Sequence, residues 1–89
     1  MIRKILFPKK TIDLIREDTK KWRPKETGGV GIGYLFHDIA ITTDLIDGGK
    51  NAFRSGAYFE KDHDHAQQKA NEIGTKDPSK KYLFDWHSH

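Results

Sequence analysis

The sequence predicts an α/β (α+β) fold, a mixed β-sheet flanked by helices, and three observations carry that prediction. Residues 29–36 alternate with a period of two, Val30, Ile32, Tyr34 and Phe36 on one face against Gly31, Gly33 and Leu35 on the other. Between Lys10 and Trp22 the apolar residues fall instead at helical spacing, Ile12, Ile15 and Trp22 with Leu14 beside them, and charged residues fill the outer face. The two patterns alternate along a chain of only 89 residues, a length that allows one domain with a small core.

In chain order, Ile2, Ile5, Leu6 and Phe7 form a first strand ended by Pro8, and the helix over 10–22 is stopped by Pro24. The glycines of the next strand require something packed close to its second face. His37-Asp38 is a tight connection into Ile39-Ala40-Ile41, and Asp47-Gly48-Gly49 is a turn leading to a strand near 53–59. Asp62 or Asp64 caps a second helix with Ala66, Ala70 and Ile73 on its apolar side and Gly74 as its stop. Asp77-Pro78 marks a turn, and Tyr82-Leu83-Phe84-Asp85-Trp86 reads as a largely buried strand that delivers His87-Ser88-His89. The expected order is strand, helix, three strands, helix, strand, in one domain over 1–89.

Composition narrows the chemistry. With no cysteine, disulfides, Cys-ligated zinc, iron–sulfur clusters and thiol nucleophiles are excluded. No apolar run approaches the roughly 20 residues of a membrane span. The three apolar residues after Arg3-Lys4 are too few for a secretory signal, so a cytoplasmic protein without a membrane partner is expected. The net charge of +3 is unevenly spread: residues 1–25 hold nine Lys/Arg against three Asp/Glu, and residues 26–89 hold seven against ten. A basic end can attract an anionic partner, but no nucleic-acid motif accompanies it, and a solvated helix face is the favoured reading.

His87 and His89 stand two apart. On an extended segment both imidazoles project to one face and can reach one metal ion, so the pair is a candidate half-site for Zn²⁺. A hydrolytic metal also needs a further ligand, an open position for water, and a carboxylate base outside its ligand shell. Glu26, at the entrance to the Gly-rich strand, is the candidate base.

Glu-Thr-Gly-Gly before one apolar strand and Trp-His-Ser-His after a later one together resemble the JAB/MPN metalloprotease family, which carries the JAMM motif. The resemblance runs through the whole element order and implies a JAB/MPN-like, cytidine-deaminase-like architecture. It makes Glu26 the catalytic glutamate and His87 and His89 zinc ligands, with Ser88 a motif position to which no catalytic step is assigned. It further implies hydrolysis of an isopeptide or peptide bond at the C-terminal tail of a ubiquitin-like or sulfur-carrier protein. The family motif continues past the second histidine with a proline, a serine that helps stabilise the oxyanion, and an aspartate that is the third zinc ligand. This sequence supplies two of the three protein ligands, so the resemblance implies a longer native chain. The alternative is a catalytically inactive MPN-like interaction module.

Other constellations are weaker. Asp62-His63-Asp64-His65 reads as a helix cap, with histidines pointing in different directions on a helix. His37 reads as a solvated turn residue. Gly28, Gly29, Gly31 and Gly33 fail the G-x-G-x-x-G spacing, and no Gly-Lys-Ser/Thr follows. Trp22 and Trp86 read as packing residues. A zinc deaminase would need Pro-Cys-x-x-Cys, and other HxH hydrolases would leave Glu-Thr-Gly-Gly unexplained.

Overall fold

The structure, a computed structural model, describes residues 2–88. Eight elements follow in order: β1 (Lys4–Leu6), α1 (Lys9–Trp22), β2 (Gly28–Phe36), β3 (Ile39–Asp47), β4 (Phe53–Arg54), β5 (Phe59–Glu60), α2 (His63–Lys76) and β6 (Lys81–His87). Strands β1-β3-β2-β6 form a mixed sheet in that spatial order, with β1 parallel to β3 and the other pairs antiparallel; β4 and β5 form a separate hairpin. The α/β class expected from the alternating periodicities is the one found.

Strand β2 is the centre of the sheet, buried from Gly28 to Gly33. Its Val30 and Ile32 join Ile46 of β3 and Ala66 of α2 in the core, and Ala70 and Ile73 pack against that cluster. Ala66, Ala70 and Ile73 recur one helical turn apart, so α2 covers this face as its spacing requires. Each fully buried Val or Ile contributes about 1.5–3 kcal/mol. On the opposite face a Cβ at Gly31 would stand 2.2 Å from the Phe84 ring, which accounts for that glycine. Phe7 meets Phe84 edge-on at 5.5 Å. Leu14, Glu17, Asp18 and Lys21 of α1 share a hollow there with Leu45 and Trp86.

The turn His37-Asp38 joins Phe36 directly to its partner Ile39, with His37 in the left-handed region at φ 55°. The carbonyl of Asp38 accepts from the amides of Arg3 and Lys4, fastening β1 to the same turn.

Several expectations are corrected. Strand β3 runs on past Ile41 to Asp47: Thr42 pairs with Gly33, Thr43 is the extra residue of a bulge, and pairing resumes with Asp44 opposite Ile32. The single strand expected near 53–59 is a hairpin, since Ser55-Gly56 turns the chain and the Ser55 amide bonds the Tyr58 carbonyl at 2.9 Å. Helix α2 passes Gly74, where a Cβ would meet only open space, and ends at Asp77 before Pro78. The segment Tyr82–Trp86 is not largely buried: β6 is an edge strand, and Tyr82 is 54% exposed. The apolar stripe of α1 is also only partly covered, Ile12 and Leu14 being exposed while Thr11 is buried. Among the described residues no helix is long and apolar enough to cross a membrane.

Candidate active site

The antiparallel pairing of β2 with β6 sets Gly28 opposite His87. One residue further out the ladder is closed by Ser88. Its amide donates to the Thr27 carbonyl at 2.8 Å, and its Oγ accepts from the Thr27 amide at 3.0 Å. Glu26 comes next, and its own amide donates to the Ser55 carbonyl at 2.6 Å. Pairing alone therefore carries Glu26 and His87, far apart in sequence, to one end of the sheet. There they line a single hollow of about 320 Å³ with Ala57, Tyr58 and Phe59 of the β4–β5 hairpin. His87 is exposed at its mouth and Glu26 is half-buried. His89, the second expected ligand, lies outside the described residues.

Gly28 is what lets this end close. A Cβ there would stand 2.2 Å from the Trp86 carbonyl oxygen and 2.8 Å from Phe59 Cε2, and one at Gly48 would stand 2.6 Å from Phe59 Cζ. The Phe59 ring thus sits against two glycines and forms a wall of the hollow.

A second hollow adjoins it, bordered by Glu60, Lys61, His63, Asp85 and His87. Lys61 Nζ lies 3.1 Å from Asp85. Burial pushes the Asp85 carboxyl up, but hydrogen bonds from Tyr82 and Lys61 and the charges of Lys61 and His63 outweigh it and hold it below the ordinary value. Burial, reinforced by the bond to Asp85, pushes the Tyr82 phenol up to about 12. Asp85 is therefore a settled anion beside the candidate site.

One part of the site was not foreseen. Arg54 stacks over the Trp22 ring at 3.8 Å and sits 5.7 Å from the Phe59 ring centre. Its Nε donates to Thr27 Oγ1 at 3.1 Å and a terminal nitrogen to the Gly49 carbonyl at 2.9 Å. Thr27 Oγ1 in turn donates to Asp18 at 2.7 Å. Trp22 is accordingly half-buried beneath a guanidinium and not inside an apolar stripe. Thr27 beside Glu26 was the available signal in the sequence; nothing local pointed to Arg54 or Asp18.

The remaining candidates behave as caps and turns. Asp62 is the N-cap of α2 and accepts from the His65 amide at 3.1 Å. His63 turns to Glu60 and His65 to Asp47 at 2.7 Å, so the two imidazoles diverge. His37 is exposed in its turn. The glycines 28, 29, 31 and 33 lie in β2 and not in a loop. Among the described residues no group of three His, Asp or Glu side chains is placed to hold a metal.

No family model matches the chain. The chain is similar to a Sinorhizobium fredii protein named "Probable metalloprotease y4qB", with 31% identity over 90 aligned residues. The match takes in 96% of this chain and 53% of that protein, so the chain spans about half the length of the curated relative it matches.

Proposed function

We propose that this chain belongs to a zinc-dependent metallopeptidase of JAMM type. Its reaction is hydrolysis of an isopeptide or peptide bond at the C-terminal tail of a ubiquitin-like or sulfur-carrier protein. The observation that carries the reading is the convergence of Glu26 and His87 on one apolar-walled hollow. The name of the similar protein supports a metallopeptidase in general. JAMM type, zinc and substrate rest on the Glu-Thr-Gly-Gly and His-Ser-His motifs.

The donor chemistry fits a divalent metal in kind: an exposed imidazole at a strand end and a glutamate lining the same hollow, with Tyr58 and Phe59 beside them. His87 and, by the motif, His89 would hold the ion; among the described residues no group of three His, Asp or Glu side chains is placed to hold it. Bound zinc would supply an activated water and a Lewis acid for the scissile carbonyl. Glu26 would serve as the base that accepts a proton from the attacking water and returns it to the leaving amine, which requires a carboxylate held near, but not on, the ion. No chemical step is assigned to Ser88; its bonds to Thr27 hold the His87 end of β6 against the segment that leads from Glu26 into β2. An extended tail can pair with the exposed edge of β6 and so lead into the hollow.

The test is metal content by plasma mass spectrometry on protein purified without chelator. Stoichiometric zinc, lost in His87→Ala and His89→Ala but kept in Glu26→Gln, is the expected result. Cleavage of a ubiquitin-like protein carrying a C-terminal extension should be lost in all three variants. Equal zinc in His87→Ala would refute the reading and leave the interaction module in its place; no zinc in the parent protein would mean that these residues alone do not complete a site.

A further inference from the structure

We infer that Arg54 is a positioning residue for Glu26, a role that rests on the reading of Glu26 as the base. Arg54 does not border the hollow that Glu26 and His87 share. It reaches that site through Thr27, which is fully buried and immediately follows Glu26.

Glu26 is held from two sides. Its amide is bonded to the carbonyl of Ser55, the residue after Arg54, and the next amide, that of Thr27, is bonded to Ser88 Oγ. The Thr27 side chain is fixed between the Arg54 guanidinium and the Asp18 carboxylate, so α1, the β4–β5 hairpin and the residue leading into β2 meet at one hydroxyl. The charges at either end of this relay are opposite, which makes both hydrogen bonds charge-assisted and stronger than a neutral pair. Trp22 beneath the guanidinium, and its second bond to Gly49, leave Arg54 few other orientations. A planar fork that stacks and donates in two directions is a task lysine cannot perform. The hairpin that walls the hollow is thereby tied to the segment that presents the base by the Arg54 side chain as well as by the Glu26–Ser55 backbone bond.

Amide hydrogen exchange followed by NMR on the metal-free chain tests this. Arg54→Ala and Thr27→Val should each speed exchange at the Glu26 and Ser88 amides by roughly tenfold or more, the range for a lost charge-assisted bond. The amides of Val30, Ile32 and Ile46 should stay at their parent rates. The double variant should speed exchange by less than the product of the two single effects, because both remove the Arg54–Thr27 bond. Thr27→Ser, which keeps the hydroxyl, should restore the parent rates, and Arg54→Lys should not. Unchanged exchange at Glu26, or equal acceleration at Val30 and Ile32, overturns the proposal; the second outcome would make Arg54 a general support of the fold. If Arg54→Ala fails to fold, Thr27→Val and its Thr27→Ser rescue decide. Zinc binding separates the two readings. Equal zinc in the parent chain and in His87→Ala removes the base role from Glu26 and the positioning role with it, whereas zinc lost in His87→Ala with unchanged exchange refutes the part of Arg54 alone.

Discussion

Gly28→Ala should damage stability and site together, because the atoms it meets belong to the site strand. The new Cβ would stand 2.2 Å from the Trp86 carbonyl oxygen and 3.0 Å from His87 Cα, distances at which something must shift. Rotation of the Phe59 ring, 2.8 Å away, can relieve one of the three overlaps; the other two involve main-chain atoms and yield only if β6 lifts from β2. Overpacking of this kind costs about 1–3 kcal/mol. Lifting the strand also weakens the Ser88–Thr27 bonds that lie just beyond, at about 1 kcal/mol each. The expected loss is therefore about 1–5 kcal/mol, read as a lower urea midpoint at constant slope. In a domain of this size each kcal/mol lowers Tm by roughly 4–8 °C. Gly74→Ala is the control: it lies in α2 with nothing within 4 Å of the new Cβ, and a helical glycine replaced by alanine gains about 0.5–1 kcal/mol. A Gly28→Ala protein as stable as its parent, with zinc content unchanged, would refute the close seating of β6 on β2 at the site.

Ser88→Ala removes the acceptor of the Thr27 amide in a residue that is fully buried, and should cost about 1–3 kcal/mol in chemical denaturation. Its zinc affinity should fall as the His87 end of β6 loosens, measured by competition with a chromophoric chelator. At the far end of the sheet, burial pushes the Asp44 carboxyl up, but hydrogen bonds from Lys80, at 2.7 Å, and Thr43 outweigh it and leave it below the ordinary value. The same bond raises Lys80, against the opposing pull of burial. A depressed carboxyl contributes stability that is present above its unfolded value of 3.8 and lost as pH falls through the lower folded value. Asp44→Asn should therefore lower Tm at neutral pH and flatten its decline in acid; parallel Tm curves would rule this coupling out.

Legibility differed from residue to residue for physical reasons. The apolar side of α2 was readable because Ala66, Ala70 and Ile73 all meet the core, so local period and tertiary burial agree. The stripe of α1 was misleading, since Ile12 and Leu14 stay exposed while the polar Thr11 is the buried residue of that helix. Gly74 misled because a glycine stops a helix only where the chain must turn, and here Asp77-Pro78 performs that task. The burial of Tyr82–Trp86 was overstated because alternation and aromatic content do not say which strand lies at an edge.

The residue types of the candidate site, a glutamate before a glycine-rich strand and histidines after another, stand in the sequence, as do the period-two and helical patterns that make the fold α/β. Those features are local, set by side-chain chemistry and backbone geometry over a few residues. That Glu26 and His87 face one hollow, that Ser88 locks the two strands together, and that Arg54 reaches Thr27 from a separate hairpin were decided only by the tertiary structure. Strand register and hairpin docking depend on which backbone groups find partners across long stretches of chain, and no local pattern encodes them.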